Sequence, residues 1–319
     1  MKNKNNNKFI LGMGNAVLDI LVPCNDQKIN ELGLEKGVMT IVDQIRSDKV
    51  LNSVDSVKKI SGGSVANTIV GISKLGGNGA FCGRVKNDKL GKDFIDDIKN
   101  VDVKFLCEPS FEGPPTARCL VFVTEDGERT MQTFLGSSVN LCEQDIKEHF
   151  FDDVSFFFIE GYLWSSNTAR SALKKATEIA ISKNIKIVFS LSDPGLSKMY
   201  KDDFLEFIQA KVDILIGNNH EFQELTNENE DSSIKEKINT LVNLAVMTKG
   251  VDGAIAFSNG NKIGVESKKN IKILDSTGAG DLFAAGFLFS LNNGLEIEDC
   301  LKTGCDVASK ILTQYGARL

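Results

Sequence analysis

The stretch DSTGAGDLFAAGFLFSL, residues 275 to 291, joins a glycine-rich turn to a run that is almost entirely apolar. Such a turn suits an anion, because glycines allow close approach to the backbone and a helix N-terminus presents unpaired N–H groups. Asp281 stands where the helix should begin, and no other polar side chain follows before Ser290. This carboxylate could cap the helix, although Asp275 or Thr277 could cap it equally well. The other interpretation is that the helix holds Asp281 rigidly for chemistry.

The pattern DSTGAGDLFAAGFL is similar to the second signature of the ribokinase-like, or PfkB, carbohydrate kinase family. The resemblance implies that the backbone of Gly278, Ala279 and Gly280 forms an anion hole for the transferred phosphate, and that Asp281 is the catalytic base. Phosphoryl transfer depends on positioning and charge stabilisation, which these groups can supply. An aspartate with an ordinary pKa of about 3.9 must accept the proton late, as the bond to phosphorus forms. Gly286 costs about 1 kcal/mol relative to alanine inside a helix, which indicates close packing there.

SGGSVANT, residues 61 to 68, is similar to the first signature of the same family. By that resemblance Gly62 and Gly63 would let the backbone approach the acceptor, and Asn67 would hydrogen-bond its hydroxyls. The motif is weak by itself, because glycine turns before helices are common.

GMGNAVLDI, residues 12 to 20, resembles the N-terminal motif of the family's adenosine kinases, which implies that Asn15 and Asp19 contact ribose hydroxyls. A carboxylate suits this role because it can accept hydrogen bonds from two neighbouring O–H groups. Alternatively, Asp19 could satisfy a backbone group within an apolar strand. A dinucleotide-binding fingerprint is disfavoured, because Val17 replaces the third glycine and a β-rich run follows.

VDILIGNNHEFQEL, residues 212 to 225, is similar to the family's strand followed by an NxxE element. Asn218 would lie at the nucleotide, and Glu221, one helical turn later, would hold Mg2+ through water. The alternative is a helix cap followed by an acid in the first turn. His220 occupies a position where the family pattern does not lead us to expect a histidine.

VMTKGVDGAIAF, residues 246 to 257, resembles the family's strand and TxGxxG turn near ATP. Thr248, Gly250 and Gly253 fit that pattern, although a hairpin loop would use the same residues. A P-loop nucleotide site is excluded, since no GxxxxGK[ST] occurs in the chain.

These motifs follow the family order from about residue 9 to 317, which implies a kinase that uses ATP and Mg2+. Three stretches, GMGNAVLDI, ERTMQTFLGSSVNL and EGYLWSS, look more like adenosine kinases than ribokinases or fructokinases. The expected acceptor is therefore the 5′-hydroxyl of adenosine or a related nucleoside, whose base needs an apolar slot. Candidates to line that slot, although each by itself is more often a core residue than a pocket residue, are Val17, Ile41, Met131, Thr133, Leu135, Tyr162 and Leu163.

Arg129, in a charged turn, is expected to steady the phosphates when a β-lid closes over the site; the alternative is a solvated surface arginine. Two other functions stay open for the whole chain: a kinase of ribose, fructose or a related sugar, and a catalytically inactive family member that serves as a binding module. The resemblance also leaves open whether a monovalent cation takes part.

The order of predicted elements indicates an α/β fold with a mostly parallel sheet covered by helices on both faces. From about residue 154 strands and helices alternate, and NIKILD is expected to be one more β-type run before the GAGD helix. ARCLVFVT and ERTMQTFL around EDGE predict a hairpin, hence a small β-appendage. The predicted organisation is a disordered tail over 1–8 and one ribokinase-like domain over 9–319, with a discontinuous β-lid from about 15–42 and 112–137.

Composition gives no sign of a nucleic-acid or membrane partner, and the family resemblance implies small-molecule partners, an acceptor and ATP. With 37 basic and 43 acidic residues the formal charge is −6, and no basic stripe points to nucleic acid or an anionic membrane. Seven cysteines without a CxxC pair and only two histidines argue against zinc and for reduced thiols, so a cytoplasmic protein is expected. No signal peptide or membrane anchor is evident at the start. Both a monomer and a homodimer are compatible with the sequence.

Overall fold

The computed structural model describes residues 8–55, 57–314 and 316–318. Its strands and helices, in chain order, are β1 Phe9–Met13, β2 Val17–Pro23, α1 Asp26–Glu31, β3 Met39–Ile41, α2 Gln44–Leu51, β4 Lys58–Gly62, α3 Ser64–Lys74, β5 Asn78–Cys82, α4 Lys89–Lys99, β6 Lys104–Phe105, β7 Ala117–Val123, β8 Arg129–Phe134, β9 Val154–Glu160, α5 Asn167–Ser182, β10 Lys186–Ser190, α6 Pro194–Met199, α7 Lys201–Lys211, β11 Ile214–Asn218, α8 Asn219–Thr226, α9 Asp231–Ile238, β12 Leu244–Thr248, β13 Ala254–Ser258, β14 Asn261–Val265, α10 Ala279–Asn292 and α11 Ile297–Ile311.

A large sheet forms the centre of the fold, with strand order β14-β13-β12-β11-β10-β9-β1-β5-β6 within the described residues. Neighbouring strands are parallel from β12 to β6, and β13 and β14 continue the sheet as an antiparallel edge. β1 lies between β5 and β9. The chain adds β5 and β6 on one side of β1 and later adds β9 to β14 on the other side, so the strand order reverses at β1. In open α/β sheets, ligands bind beyond the carboxyl ends of the strands at such a reversal of strand order.

Helices cover both faces of this sheet because successive apolar residues on each strand point to opposite sides. Ile10 and Phe158 pack with α3, α10 and α11, whereas Leu11 and Phe157 pack with α5 and α8 on the other face. The sheet is therefore rigid on both sides, which suits it to hold side chains at its carboxyl edge.

A second, smaller sheet has the order β3-β8-β7-β2-β4. One of its faces carries Leu18, Ile20, Leu120 and Phe122, which join the core around α3 and α4. The other face carries a separate, smaller apolar cluster of Val17, Ala117, Cys119 and Val121, with Val123 and Met131 beside it. We call this second side of the small sheet the open face.

The predicted alternation after residue 154 and the hairpin around EDGE are confirmed, since β7 and β8 pair antiparallel across it. The small sheet takes four strands from the ranges predicted for the lid and adds β4, which lies outside those ranges. Movement of this sheet as a lid stays a prediction. The predicted tail lies outside the described residues except for Lys8, whose carbonyl oxygen accepts a hydrogen bond from Asn292.

The prediction that NIKILD is β-type was wrong. No strand lies between Val265 and the helix α10. Ile273 and Leu274 are substantially exposed, and the Leu274 N–H donates to the carbonyl of Leu312 beyond α11. The segment is therefore a loop that lies along the end of α11, and the GAGD turn follows a loop instead of a strand.

Five of the seven cysteines are buried, and Cys82 and Cys107 bring their sulfur atoms within 3.2 Å of each other. Among the described residues, no helix combines the length and the apolar character needed to cross a membrane.

Candidate active site

The carboxyl edge of the large sheet gathers four of the polar residues that the chain offers for chemistry. Asn15 follows β1, Glu160 ends β9, Asn218 ends β11 and Thr248 ends β12. Because parallel strands bring these ends to one edge, residues far apart in sequence meet there. α10 reaches the same edge through its first turn.

Asp281 lies in that first turn and is held by two side chains of α3. The Ser64 hydroxyl donates to one carboxylate oxygen at 2.6 Å, and the Asn67 amide donates to the other at 2.9 Å. The Thr68 hydroxyl also donates to the Asp281 carbonyl oxygen at 3.1 Å. Burial raises the pKa of Asp281 above its ordinary value, while the bonds from Ser64 and Asn67 oppose that rise. The two predicted signatures thus meet at one carboxylate.

The structure does not support the interpretation of Asp281 as a helix cap. α10 begins after Gly278, which has a left-handed φ of 76°, and no side chain caps it. A β-carbon at Gly278 would lie 2.5 Å from that of Ala317, whereas one at Gly280 would meet nothing within 4 Å. The turn therefore has one crowded side and one open side, and the open side is where an anion can reach the backbone N–H groups.

Gly286 allows α10 to pack closely against α11. A β-carbon there would lie 2.8 Å from the carbonyl oxygen of Thr303 and 3.0 Å from the Cα of Gly304, both in α11. The close packing that this glycine indicated is with the backbone of α11. This contact fixes the helix that carries Asp281.

The Gly62–Gly63 turn joins β4 of the small sheet to α3. A β-carbon at Gly62 would lie 2.5 Å from a carboxylate oxygen of Asp19, and one at Gly63 would lie 2.1 Å from the Asn15 carbonyl oxygen. Gly63 has a φ of 99°, which only glycine adopts readily. Burial raises the pKa of Asp19 to about 6, while Arg318 and Arg129 oppose the rise. The predicted acceptor residues therefore lie together around this turn.

Glu160 is a buried residue of this site that sequence reasoning missed, with a side chain only 1% exposed. Its carboxylate accepts the N–H of Asn15 at 2.8 Å and the N–H of Val65 at 3.0 Å, so it connects the loop after β1 to the start of α3. Burial raises its pKa to about 7. A glutamate at the end of the apolar strand VSFFFIE was the available signal, because an acid in such a place needs a partner.

Asn218 and Glu221 form a reciprocal helix cap, which was the alternative interpretation of the NxxE element. The Asn218 N–H and side-chain amide donate to the two oxygens of Glu221 at 2.8 and 2.6 Å, and the Glu221 N–H donates back at 2.9 Å. Burial raises the pKa of Glu221 to about 7, and the neighbouring carboxylates of Asp193 and Asp281 add to the rise. His220 is exposed, and its ring contacts Gln223.

A cavity of about 580 Å³ lies beside the GAGD turn. It brings together three of the four predicted nucleotide residues and the open side of the turn, but its lining does not include Asn218. Its lining is mainly apolar and includes two basic residues, Lys268 and Lys269. Its lining includes Thr248, Gly250, Gly253, Lys268, Lys269, Ile271, Ile273, Ser276, Ala279, Gly280, Phe283, Cys305 and Leu312.

Arg129 is not the solvated arginine that was one alternative. It forms an ion pair at 3.1 Å with Asp275, the first residue of DSTGAGD, and its side chain is 10% exposed. Its buried Nε has no hydrogen-bond partner within the described chain. Asp275 also accepts the N–H of Thr277 and of Gly316, and these bonds, with Arg129, hold its pKa low although burial opposes them. The small sheet is thereby tied to the GAGD turn.

The open face of the small sheet looks toward the same site. Strand pairing places Met131 beside Met39 and Thr133 beside Ile41, so these four share the side of the sheet that carries Asp19 and Arg129. Met39 and Ile41 are 50% and 61% exposed.

Three other candidates for the apolar slot have different surroundings. Tyr162 is 37% exposed. Partial burial of its hydroxyl raises its pKa, and nearby carboxylates, among them Glu160, Asp281 and Glu221, add to the rise. Leu135 follows β8 directly and is half-buried. Leu163 is 1% exposed and packs in the core with α5, in agreement with the alternative that it is a core residue.

The mostly parallel sheet, the smaller sheet beside its carboxyl edge and the glycine turn with its held aspartate constitute a ribokinase-like fold. The chain belongs to the PfkB family of carbohydrate kinases, whose sequence model matches residues 37–319. Kinases of this family transfer a phosphoryl group from ATP to an alcohol.

The similar proteins act on different acceptors according to their names. The crystal structure of an adenosine kinase from Sinorhizobium meliloti is 34% identical, with a TM-score of 0.88, covering 98% of this chain and 96% of that one. A probable sugar kinase from Rhizobium etli CFN 42 is equally similar, at 34% and 0.88, covering 98% and 95%. A 5-dehydro-2-deoxygluconokinase from Halalkalibacterium halodurans is 26% identical over 288 residues, 86% of each chain. Family membership therefore leaves the acceptor undecided.

Proposed function

We propose that this protein transfers the γ-phosphate of ATP to the 5′-hydroxyl of adenosine. The observation that carries the nucleoside assignment is the open face, where the exposed apolar side chains of Met39 and Ile41 lie on the same side of the sheet as Asp19. A nucleoside has an apolar flat end and a polar sugar end, and this surface offers a counterpart to each. The base would lie against the apolar part, and Asp19 with Asn15 would receive the ribose hydroxyls.

ATP would occupy the cavity beside the GAGD turn, with Thr248, Gly250 and Gly253 along one wall. The N–H groups of Ala279 and Gly280, on the open side of the turn, would stabilise charge on the transferred phosphoryl group. Gly278 allows this turn because its φ is positive.

Asp281 would act as the general base. Its two oxygens are already oriented by Ser64 and Asn67, so the carboxylate needs no rearrangement when the acceptor arrives. It would hold the acceptor hydroxyl in line with phosphorus and take its proton as the new bond forms. Its raised pKa brings the base closer to working pH, which favours proton transfer.

The carboxylates around Glu221 fit a divalent cation held through water. Asp193 and Asp281 disfavour the negative charge of Glu221, and a cation beside Glu221 would relieve that repulsion. Both Glu221 oxygens already accept bonds from Asn218, and each keeps a lone pair for water. No group of three or more acidic, cysteine or histidine side chains converges to bind a metal directly in the described part of the chain. Mg2+, when bound, would neutralise charge on the phosphates.

Arg129 would contact the phosphates once the small sheet closes. It lies on the open face, it is tied to the first residue of the GAGD motif, and its Nε is buried without a partner among the described residues. An unpaired buried donor is costly, and an anionic oxygen would satisfy it.

A sugar kinase is the second candidate, because the 5-dehydro-2-deoxygluconokinase relative aligns over 86% of each chain. In that case Asp19 and Asn15 would receive the hydroxyls of a free sugar, and the apolar open face would have another role. The third candidate function is that of a catalytically inactive binding module.

A substrate panel separates these functions. Purified protein with Mg-ATP is incubated with adenosine, other nucleosides, ribose, fructose or 5-dehydro-2-deoxygluconate, and ADP release is followed. We expect adenosine to give the highest kcat/KM, with Asp281→Asn as the inactive control. A higher value for a sugar would assign the protein to the sugar kinases. Acceptor binding without ADP release would favour the inactive module.

A further inference from the structure

Residues 316–318 lie between the two signature motifs. The Gly316 N–H donates to a carboxylate oxygen of Asp275 at 2.7 Å, and Ala317 packs against the crowded side of Gly278. Both contacts are with the GAGD motif. They deliver the next residue, Arg318, toward the other signature.

The guanidinium of Arg318 spans the Gly62–Gly63 turn. One of its terminal nitrogens donates to the carbonyl oxygen of Ala66 at 3.2 Å, and the other donates to the carbonyl oxygen and, at 2.8 Å, to the hydroxyl of Ser61. Ser61 comes just before the two glycines and Ala66 comes three residues after them. A single side chain therefore holds both ends of the segment that presents Ser64 to Asp281.

Ser61 is fixed from its other side as well. Asp97 of α4 accepts its N–H at 2.8 Å and its hydroxyl at 2.6 Å. The turn is thus held between α4 and Arg318. Two flexible glycines need such restraint, because they would otherwise sample many backbone conformations.

The positive charge of Arg318 acts on two carboxylates of the candidate site, Asp19 and Asp281. Its hydrogen bonds go to backbone carbonyls and a hydroxyl, and the carboxylates that face it are Asp97 from α4, Asp19 from β2 and Asp281 from α10. Burial lowers its own pKa to about 10, so it stays protonated at neutral pH. It opposes the raised pKa of both Asp19 and Asp281. Arg129 acts on Asp19 in the same direction.

We infer that Arg318 is a positioning residue of the phosphoryl transfer, resting on the proposed function: it fixes the Gly62–Gly63 turn and places one positive charge between the acceptor-binding carboxylate and the base. Arg318 touches neither ATP nor the reacting oxygen in this role. It acts on the acceptor through Asp19. It acts on the base by positioning Ser64 and Asn67 and through the electrostatic effect of its positive charge.

The test compares Arg318→Met, which removes the charge and every donor, with Arg318→Lys, which keeps the charge with fewer donors. Lys186→Met is the control, because the exposed Lys186 forms an ion pair with Asp213 at the amino end of β10, opposite the carboxyl edge of the sheet. For each protein we would measure KM for acceptor and for ATP, the pH profile of kcat/KM and the melting temperature. The acceptor is whichever compound of the substrate panel the wild type phosphorylates best.

We expect Arg318→Met to raise the acceptor KM at least about tenfold while the ATP KM stays within about twofold. The acidic limb of kcat/KM for the acceptor should move up by about one pH unit, because Asp19 and Asp281 both lose a positive charge that opposes their raised pKa. In Arg318→Lys the acidic limb should return most of the way to its wild-type pH, whereas the acceptor KM should return only part of the way to its wild-type value. The control should match the wild type.

An unchanged pH limb in Arg318→Met, or equal losses for acceptor and ATP, would overturn the inference and leave Arg318 a structural residue. If Arg318→Met does not fold, an unshifted limb and unchanged acceptor KM in Arg318→Lys would overturn it as well. If the wild type prefers a sugar, that result contradicts the adenosine assignment but does not affect the inference about Arg318. If no acceptor turns over, the rise in melting temperature on adding adenosine gives the same comparison, and an equal rise in wild type and Arg318→Met would count against the role.

Discussion

Replacing Gly62 by alanine would test the acceptor site with the smallest available perturbation. The new methyl group would lie 2.5 Å from one Asp19 oxygen and 2.9 Å from the other. Ordinary contacts begin near 3.4 Å, so the carboxylate must retreat by about 1 Å. A displacement of that size would break at least one hydrogen bond that an acceptor hydroxyl is proposed to donate to Asp19. A bond to a charged group contributes about 1.5–3 kcal/mol, which corresponds to a rise of about 10- to 150-fold in acceptor KM.

Steady-state kinetics with acceptor and ATP varied separately would measure this effect. The ATP KM should stay within about twofold, because Gly62 does not line the cavity proposed for ATP beside the GAGD turn. Gly264→Ala is the matched control: it also adds a methyl group to a strand glycine, and its nearest contact is an ordinary 3.4 Å. An acceptor KM for Gly62→Ala within about twofold of wild type would show that Asp19 does not receive the acceptor.

Two predictions concern stability. Burial raises the pKa of Glu160 to about 7 from an ordinary value of 4.5, so its contribution to stability is full below about pH 4.5 and disappears as pH rises through about 7, a change of about 3 kcal/mol. The melting temperature should therefore fall between pH 5 and 8 in the wild type and in the exposed control Glu178→Gln, but less steeply in Glu160→Gln; parallel curves would contradict this. Gly286→Ala should lower stability by about 1–3 kcal/mol by pressing on the backbone of α11, as a thermal melt would show. Gly280→Ala, in open space on the same helix, should keep the melting temperature but reduce kcat, and equal melting temperatures for the two variants would refute the packing argument.

Much of the fold could be predicted from the sequence because its signals are local. Apolar strands alternating with amphipathic helices after residue 154 lead directly to a parallel sheet, and EDGE between two β-rich runs leads to a hairpin. NIKILD misled because its alternating apolar residues, such as Ile273, line the cavity beside the GAGD turn. Periodicity reports that a residue is covered or contacts something apolar, and a ligand cavity gives the same pattern as a sheet.

The site was predictable where its chemistry is concentrated in short motifs, as at Asp281 and the Gly62–Gly63 turn. Glu160 and Arg318 were missed because they act through backbone groups far away in sequence. The bonds of Glu160 span 95 and 145 residues, and those of Arg318 span more than 250. A backbone carbonyl or N–H carries no sequence signature, so such partners appear only when the chain is folded. Arg129 was half predicted, since its place at the site was expected but its ion pair with Asp275 was not.

Asp281→Asn most directly tests whether this carboxylate is the base of an ATP-dependent kinase. The amide oxygen can still accept the Asn67 amide while the amide N–H donates to the Ser64 hydroxyl, so the fold and the melting temperature should stay close to wild type. Loss of a general base costs about 10²- to 10⁴-fold, and the rate of ADP release with the best acceptor should fall by that factor while acceptor binding persists. A variant that folds, binds and releases ADP within tenfold of the wild-type rate would contradict the role assigned to Asp281.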